Sequence, residues 1–303
     1  MPVKTFSDNS LSFITFLSAG AWGMYWFPLR IIEGVGIPSA WSVVIINACP
    51  MLILLPLFAF TYKKLEKNLT GVFLSSLFIG MAFTFYANAL VETTIIRATL
   101  LFYLNPIIGT IIGICWLREK LTQARIFSIL IAIFGLILLL SEGKNSPYPL
   151  NIGDLYGVLS GLFWSLGAAS LNRWPEVPIV PLTSLIYLTA TLLSALFAII
   201  LYNEPFPEAF RIISILPSSM LWSIIILLPS FMIIFKVSKV LFPGRVGVLM
   251  MSEVIVAIVS ASILVPTEKM IFLQWVGATA IILAGLIEVL YGSTQKTKVV
   301  KKI

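Results

Sequence analysis

The chain contains no histidine. Histidine is the commonest general base and the commonest zinc ligand, so its absence removes Ser-His-Asp and Cys-His machinery and most zinc chemistry. Cysteine is nearly as scarce. Cys49 and Cys115 both lie inside apolar runs, where a thiol behaves as a small core residue, and no disulfide framework follows from them. Charged side chains make up only 11% of the 303 residues, against about 25% in soluble domains. Phosphate-cradling loops, metal-ligand spacings and nucleophile elbows are missing, and pieces such as Gly34-Val-Gly36 read as turns. No catalytic residue, metal or cofactor is expected, and the chain does not read as an enzyme.

What is abundant is hydrocarbon. Hydrophobic residues are 59% of the chain and the mean hydropathy is +1.03. They come in runs of about 20, the length needed to cross a bilayer core of ~30 Å. The short alternating segments of a transmembrane β-barrel are missing. The expected class is an all-α, polytopic membrane protein. Ten apolar runs can be drawn: 11–30, 38–62, 69–90, 93–117, 122–141, 154–172, 179–202, 214–236, 245–265 and 270–291. The first could be mistaken for a signal peptide, but no small-residue cleavage site follows it. The connections are short, so neighbouring helices should run antiparallel. The most loop-like one, Glu142 to Asp154, divides the runs into five and five.

The net charge of +7 does not mark a nucleic-acid face, because the cations sit between the apolar runs and at the C-terminus. With the N-terminus in the cytoplasm, fifteen of the twenty lysines and arginines fall on the inner side: Lys4; Lys63, Lys64 and Lys67; Arg118, Lys120 and Arg125; Arg173; Lys236, Lys239 and Arg245; and Lys296, Lys298, Lys301 and Lys302. Only Arg30, Arg97, Lys144, Arg211 and Lys269 fall outside. This bias predicts a multi-pass protein of the cell (inner) membrane with both termini cytoplasmic. The tail lysines suit an anchor on the anionic inner leaflet.

The halves resemble each other. Arg97 and Arg245 open the fourth and ninth runs, and Arg118-Glu-Lys-Leu121 and Thr267-Glu-Lys-Met270 follow them, at offsets of 148 and 149. Trp22 and Trp164 lie midway along the first and sixth runs, and Pro38 and Pro181 open the second and seventh, at offsets of 142 and 143. Two five-helix repeats, residues 1–145 and 146–303, are expected. An odd helix number per repeat inverts the second in the membrane, the 5+5 inverted-topology arrangement of secondary transporters, whose site lies near the midplane.

Glu253 lies well inside the ninth run. A carboxylate at that depth costs roughly 2.5–3.5 kcal/mol on insertion scales, so a polar cavity or a partner is needed. It reads either as a packing group hydrogen-bonded between helices or as the wall of a substrate path. Burial would also let it carry a coupling proton. Aromatic and amide residues away from helix ends extend the candidate set: Trp22, Tyr25 and Trp26; Tyr86 and Asn88; Tyr103 and Asn105; and Trp164. Trp22 and Trp164 are poorly placed for interface anchors, which leaves core packing or pocket wall. Met250 shares a helical face with Glu253, Val256, Ala257 and Ser260 and offers an adaptable wall. Such a set suits a small amphipathic solute whose amine pairs with Glu253 while its apolar part lies on aromatic faces. Arg97 and Arg245 lie at opposite mouths, which disfavours an anionic substrate.

The ten-run layout, the paired tryptophans and the Glu-Lys-Leu/Glu-Lys-Met signature resemble the drug/metabolite transporter superfamily, EamA type, over residues 11–291. The segment Pro243-Gly-Arg-Val-Gly-Val-Leu-Met-Met-Ser-Glu253 is similar to bacterial aromatic amino acid exporters. The resemblance implies alternating-access export of amino acids or related amines. Other superfamily cargoes (nucleobases, drug-like cations, sugar derivatives) and a non-transporting role such as lipid scrambling stay open. One departure is Val254, where the family often has proline directly after the carboxylate. The expected partners are a small-molecule substrate and the bilayer, with no nucleic acid.

Overall fold

The computed structural model describes residues 8–65, 68–116, 122–140, 149–174, 176–237, 243–268, 270–287 and 290–291. The Arg118-Glu-Lys-Leu121 signature, Lys4, Lys67, Lys144, Lys239, Lys269 and the tail lysines Lys296, Lys298, Lys301 and Lys302 lie outside them. Among the described residues every regular element is helical. The first apolar run holds α1 (Asp8–Gly23) and α2 (Trp26–Gly34), and the second holds α3 (Ser39–Ala48) and α4 (Met51–Thr61). The next three hold α5 (Leu69–Glu92), α6 (Ile95–Phe102) with α7 (Asn105–Cys115), and α8 (Gln123–Leu140). In the second half come α9 (Ile152–Arg173), α10 (Ile179–Leu196), α11 (Ala209–Met220) with α12 (Leu228–Val237), α13 (Pro243–Leu264) and α14 (Phe272–Ile287). Wider π-helical turns extend α10 over Phe197–Leu201 and join α11 to α12 over Leu221–Leu227.

Three runs expected as single helices are broken, and proline accounts for each break. A helical proline offers no N–H and its ring crowds the carbonyl four residues earlier. For Pro28, Pro50 and Pro106 those carbonyls belong to Met24, Ile46 and Phe102, and the chain turns at residues 24–25, 49–50 and 103–104. Tight bonds close two of the turns, Tyr25 N–H to Trp22 O at 2.9 Å and Leu104 N–H to Leu101 O at 3.3 Å.

Five helical spans are long and apolar enough to cross a membrane: Ser39–Thr61, Leu69–Glu92, Ile95–Ile112, Ile179–Leu201 and Ala209–Val237. Ile126–Leu138, Leu249–Leu264 and Phe272–Ile287 are shorter apolar helices. The outer surface is oily. Phe60 is 85% exposed, and Phe13, Phe127, Ile137, Ile200 and Ile263 also point outward. Apolar cover on this scale is unfavourable in water and is what a lipid-facing bundle needs. The protein is a multi-pass helical membrane protein.

Inside the bundle, α5 lies between α9 and α10, α8 pairs with α14, and α1 packs on α13 and α12. Helix α9 also carries α6 and α7. Small residues set that contact: a Cβ at Gly161 would stand 2.7 Å from Phe102 O, so only glycine lets α9 pass the α6–α7 break.

Candidate functional site

The α6–α7 break carries Tyr103 to Glu253. The Tyr103 hydroxyl lies 2.9 Å from Glu253 Oε2 and 2.9 Å from the Met250 carbonyl oxygen. A phenol has one proton, so it satisfies one of these acceptors fully at a time. Glu253 is 6% exposed, and among the described residues no cation pairs with it. The α1–α2 break stands on the other side, where the Gly23 backbone abuts the Glu253 carbonyl. Two interrupted helices thus flank the buried carboxylate, as at other membrane sites where irregular backbone lines a cavity.

A chamber of about 30 Å³ opens beside it. Its lining includes Trp22, Tyr86, Trp164, Met250 and Glu253, all expected from the sequence. Ala82, Phe83, Phe102, Phe231 and Ile234 line it as well. These were missed, although the spacings 82, 83, 86 and 231, 234, 235 mark single helical faces that could have found them. Trp22 lies 5.0 Å from Phe83 and 5.9 Å from Phe231, and Phe102 stands edge-on to Trp164 at 6.1 Å. The walls are aromatic faces and edges, with one acid.

The other expected residues stand elsewhere. Tyr25 forms a second row, stacked on Trp22 at 5.3 Å and on Tyr86 at 6.2 Å, with its hydroxyl 3.2 Å from Asn47 Oδ1. Trp26 donates to Ser260 Oγ at 3.1 Å and so ties α2 to α13. Asn88 turns back to donate to its own helix at Thr84 O, 2.8 Å. The Asn105 carbonyl accepts from Ser165 Oγ at 2.8 Å, a contact between α7 and α9. Trp26, Asn88 and Asn105 therefore do not line the chamber.

Toward the Arg173 end of α9 the chamber adjoins a second, open cavity of about 570 Å³. At the opposite end the bundle is fastened by polar contacts. Glu268 accepts from the Ile95 and Ile96 backbone N–H groups at 2.7 and 3.1 Å, at the N-terminus of α6. Burial pushes its carboxyl above the ordinary range, while those two N–H groups and Arg30 hold it back. Arg97 donates to Asp154 at 2.6 Å, and Thr93 donates to the other Asp154 oxygen at 3.0 Å. Glu204 accepts from Ala40 N–H at 3.1 Å, and Arg211 donates to Gly36 O at 2.9 Å.

The molecule is therefore a helical membrane bundle with an acid-bearing aromatic chamber, fastened by polar contacts at one end and adjoined by a larger open cavity toward the other. Residues 10–141, a little under half of the chain, match the EamA-like transporter family. A stretch of 143 residues is 27% identical to the uncharacterized transporter YojE of Bacillus subtilis (strain 168), covering 45% of this chain and 47% of that protein. The match thus spans about half the length of that curated relative. A solved protein crystal structure superposes with a TM-score of 0.58 at 17% identity, over 93% of this chain and 96% of the other. At that identity the likeness is one of fold.

Proposed function

We propose that the protein is a secondary-active transporter that exports amino acids or related small amine-bearing metabolites by alternating access. The observation that carries this reading is Glu253: a buried carboxylate, bonded to one phenol, unpaired with any described cation and facing an aromatic chamber. An ion so placed is costly unless a counter-charge reaches it. An ammonium group supplies that charge, and the chamber's rings accept its remaining faces by cation–π contact. Alternating access is taken to run between the repeats 1–145 and 146–303, rocking about this midplane site. The orientation in the inner membrane with both termini cytoplasmic rests on the charge bias of the connections, and the outward direction rests on the family resemblance. Glu253 is also the carrier of a coupling proton in this scheme, released as the amine binds.

The test uses the full chain in proteoliposomes, screened by saturable uptake of labelled amino acids, polyamines and nucleobases. Thermal shift on the purified protein gives a second readout, since a specific ligand stabilises by mass action. Amine-bearing solutes are expected to give saturable uptake that Glu253→Gln lowers at least tenfold. Uptake of amines that survives Glu253→Gln unchanged, or uptake confined to solutes without an amine, overturns the proposal.

A further inference from the structure

The chamber beside Glu253 has a size problem that its neighbour solves. About 30 Å³ holds no more than two or three water molecules. An ammonium group fits there and a whole amino acid does not. The second cavity holds about 570 Å³, within the range of roughly 300–1,000 Å³ typical of small-molecule sites. The two share three lining residues, Trp164, Ile234 and Met250. The carboxylate chamber and the open vestibule therefore adjoin, with these three side chains at their common boundary.

We propose that the two cavities are compartments of a single ligand site, in which the ammonium head occupies the Glu253 chamber and an uncharged apolar or aromatic tail lies in the vestibule. This rests on the reading of Glu253 as the amine acceptor. The vestibule wall is formed by Ala168, Leu171, Val177, Leu182 and Phe235, with Asn172 as its amide. No charged side chain is among the described residues lining it, so a charged tail would meet no described partner, while a hydrocarbon tail loses only water. Aromatic tails gain further from ring edges: Trp164 meets Phe235 at 6.5 Å and 88°, and Phe235 lies 4.5 Å from Phe231. Met250 suits a boundary that must yield. Its backbone oxygen lies 2.9 Å from the Tyr103 hydroxyl, and an unbranched thioether is the side-chain type that adapts to irregular space. Access is from the Arg173 end of α9, where Ala168 and Asn172 are exposed, because the opposite mouth is fastened through Glu268, Arg97 and Asp154.

The experiment is equilibrium binding of methylamine, butylamine, hexylamine and phenethylamine to the full chain in nanodiscs. Affinity should rise with tail length by roughly three- to fourfold per buried methylene. Ala168→Trp fills the vestibule, and is expected to weaken hexylamine and phenethylamine at least tenfold while leaving methylamine within twofold. Glu253→Gln should weaken all four by a common factor. Tail dependence that survives Ala168→Trp, or an equal loss for methylamine, overturns the two-compartment site. Tail dependence that is removed by Ala168→Trp while Glu253→Gln changes nothing overturns the carboxylate reading instead. A second readout covers a misfolded tryptophan variant: Ala168→Cys in a Cys115→Ser background, labelled with a soluble maleimide. Phenethylamine should slow labelling at least fivefold and methylamine should not. Equal protection by both, or by neither, counts against the site.

Discussion

Gly23→Ala isolates the contact that brings α1 against the Glu253 backbone. A Cβ there would overlap the Glu253 carbonyl oxygen and stand 2.9 Å from Val256 Cβ and 3.0 Å from Ala257 N. Ordinary contact needs close to 3.4 Å or more, and two of the three neighbours are main-chain atoms that no rotamer change can move. The helices must separate, and overpacking of this kind costs about 1–3 kcal/mol. Alanine's helix preference returns at most about 1 kcal/mol, and less at the last residue of a helix. The matched control is Gly34→Ala, where nothing stands within 4 Å of the added methyl. At about 2–4 °C per kcal/mol, Gly23→Ala should melt several degrees below wild type, with Gly34→Ala within a degree or two. Adding Val256→Ala should recover only part of the loss, because the backbone overlap remains. Thermal unfolding of the four purified proteins in one detergent decides it. Equal melting of Gly23→Ala and Gly34→Ala would refute the packing described for α1 and α13.

Tyr103→Phe removes the described donor to a buried carboxylate and should destabilise by about 1–3 kcal/mol; in a cycle with Glu253→Gln the two changes should couple by at least about 0.5 kcal/mol, measured by thermal or denaturant unfolding. Asp154→Asn breaks a buried ion pair whose side chains are each 9% exposed, and should cost about 3–5 kcal/mol. Breaking the solvent-facing Arg211–Glu208 pair, 35% and 62% exposed, should cost less than about 1 kcal/mol, and similar losses for both would undo the comparison. For Glu268 the sign follows from burial, which raises its folded-state pKa. The folded chain holds this proton more tightly than the unfolded chain, so the contribution is complete below the ordinary carboxylate range and is lost as pH rises through the raised value. Melting temperature between about pH 4 and 8 should therefore fall more steeply in wild type than in Glu268→Gln, and parallel curves would contradict the assignment.

Much of the scaffold was readable in advance because bilayer thickness imposes a length on apolar runs, and the helices lie where those runs lie. The proline breaks were less legible, since a hydropathy window averages across a two-residue turn. The site divides along the same line. Glu253, Met250 and the mid-run aromatics Trp22, Tyr86 and Trp164 announced themselves by polarity or size at depth. Phe83, Phe102, Phe231 and Ile234 did not, because an apolar side chain in an apolar run carries no mark of which neighbour it meets. Asn88 is a related case: a polar side chain at depth reads as a chamber residue, yet its amide N–H donates to its own helix at Thr84 O, and its buried Oδ1 has no described partner. The role of Glu268 depended on knowing that α6 begins beside it, a fact of tertiary structure alone.

The short helix α6 is gripped twice by acids from one neighbouring stretch of chain. Glu268, just beyond α13, holds its first turn, and Glu253, within α13, meets the Tyr103 phenol at its last. Eight residues make a rod of about 12 Å, too short to bend, so the two grips are mechanically yoked. A displacement of Tyr103 at the chamber is therefore carried along α6 to its Glu268 end, a lever whose blade lies at the carboxylate and whose handle lies at the polar clasp.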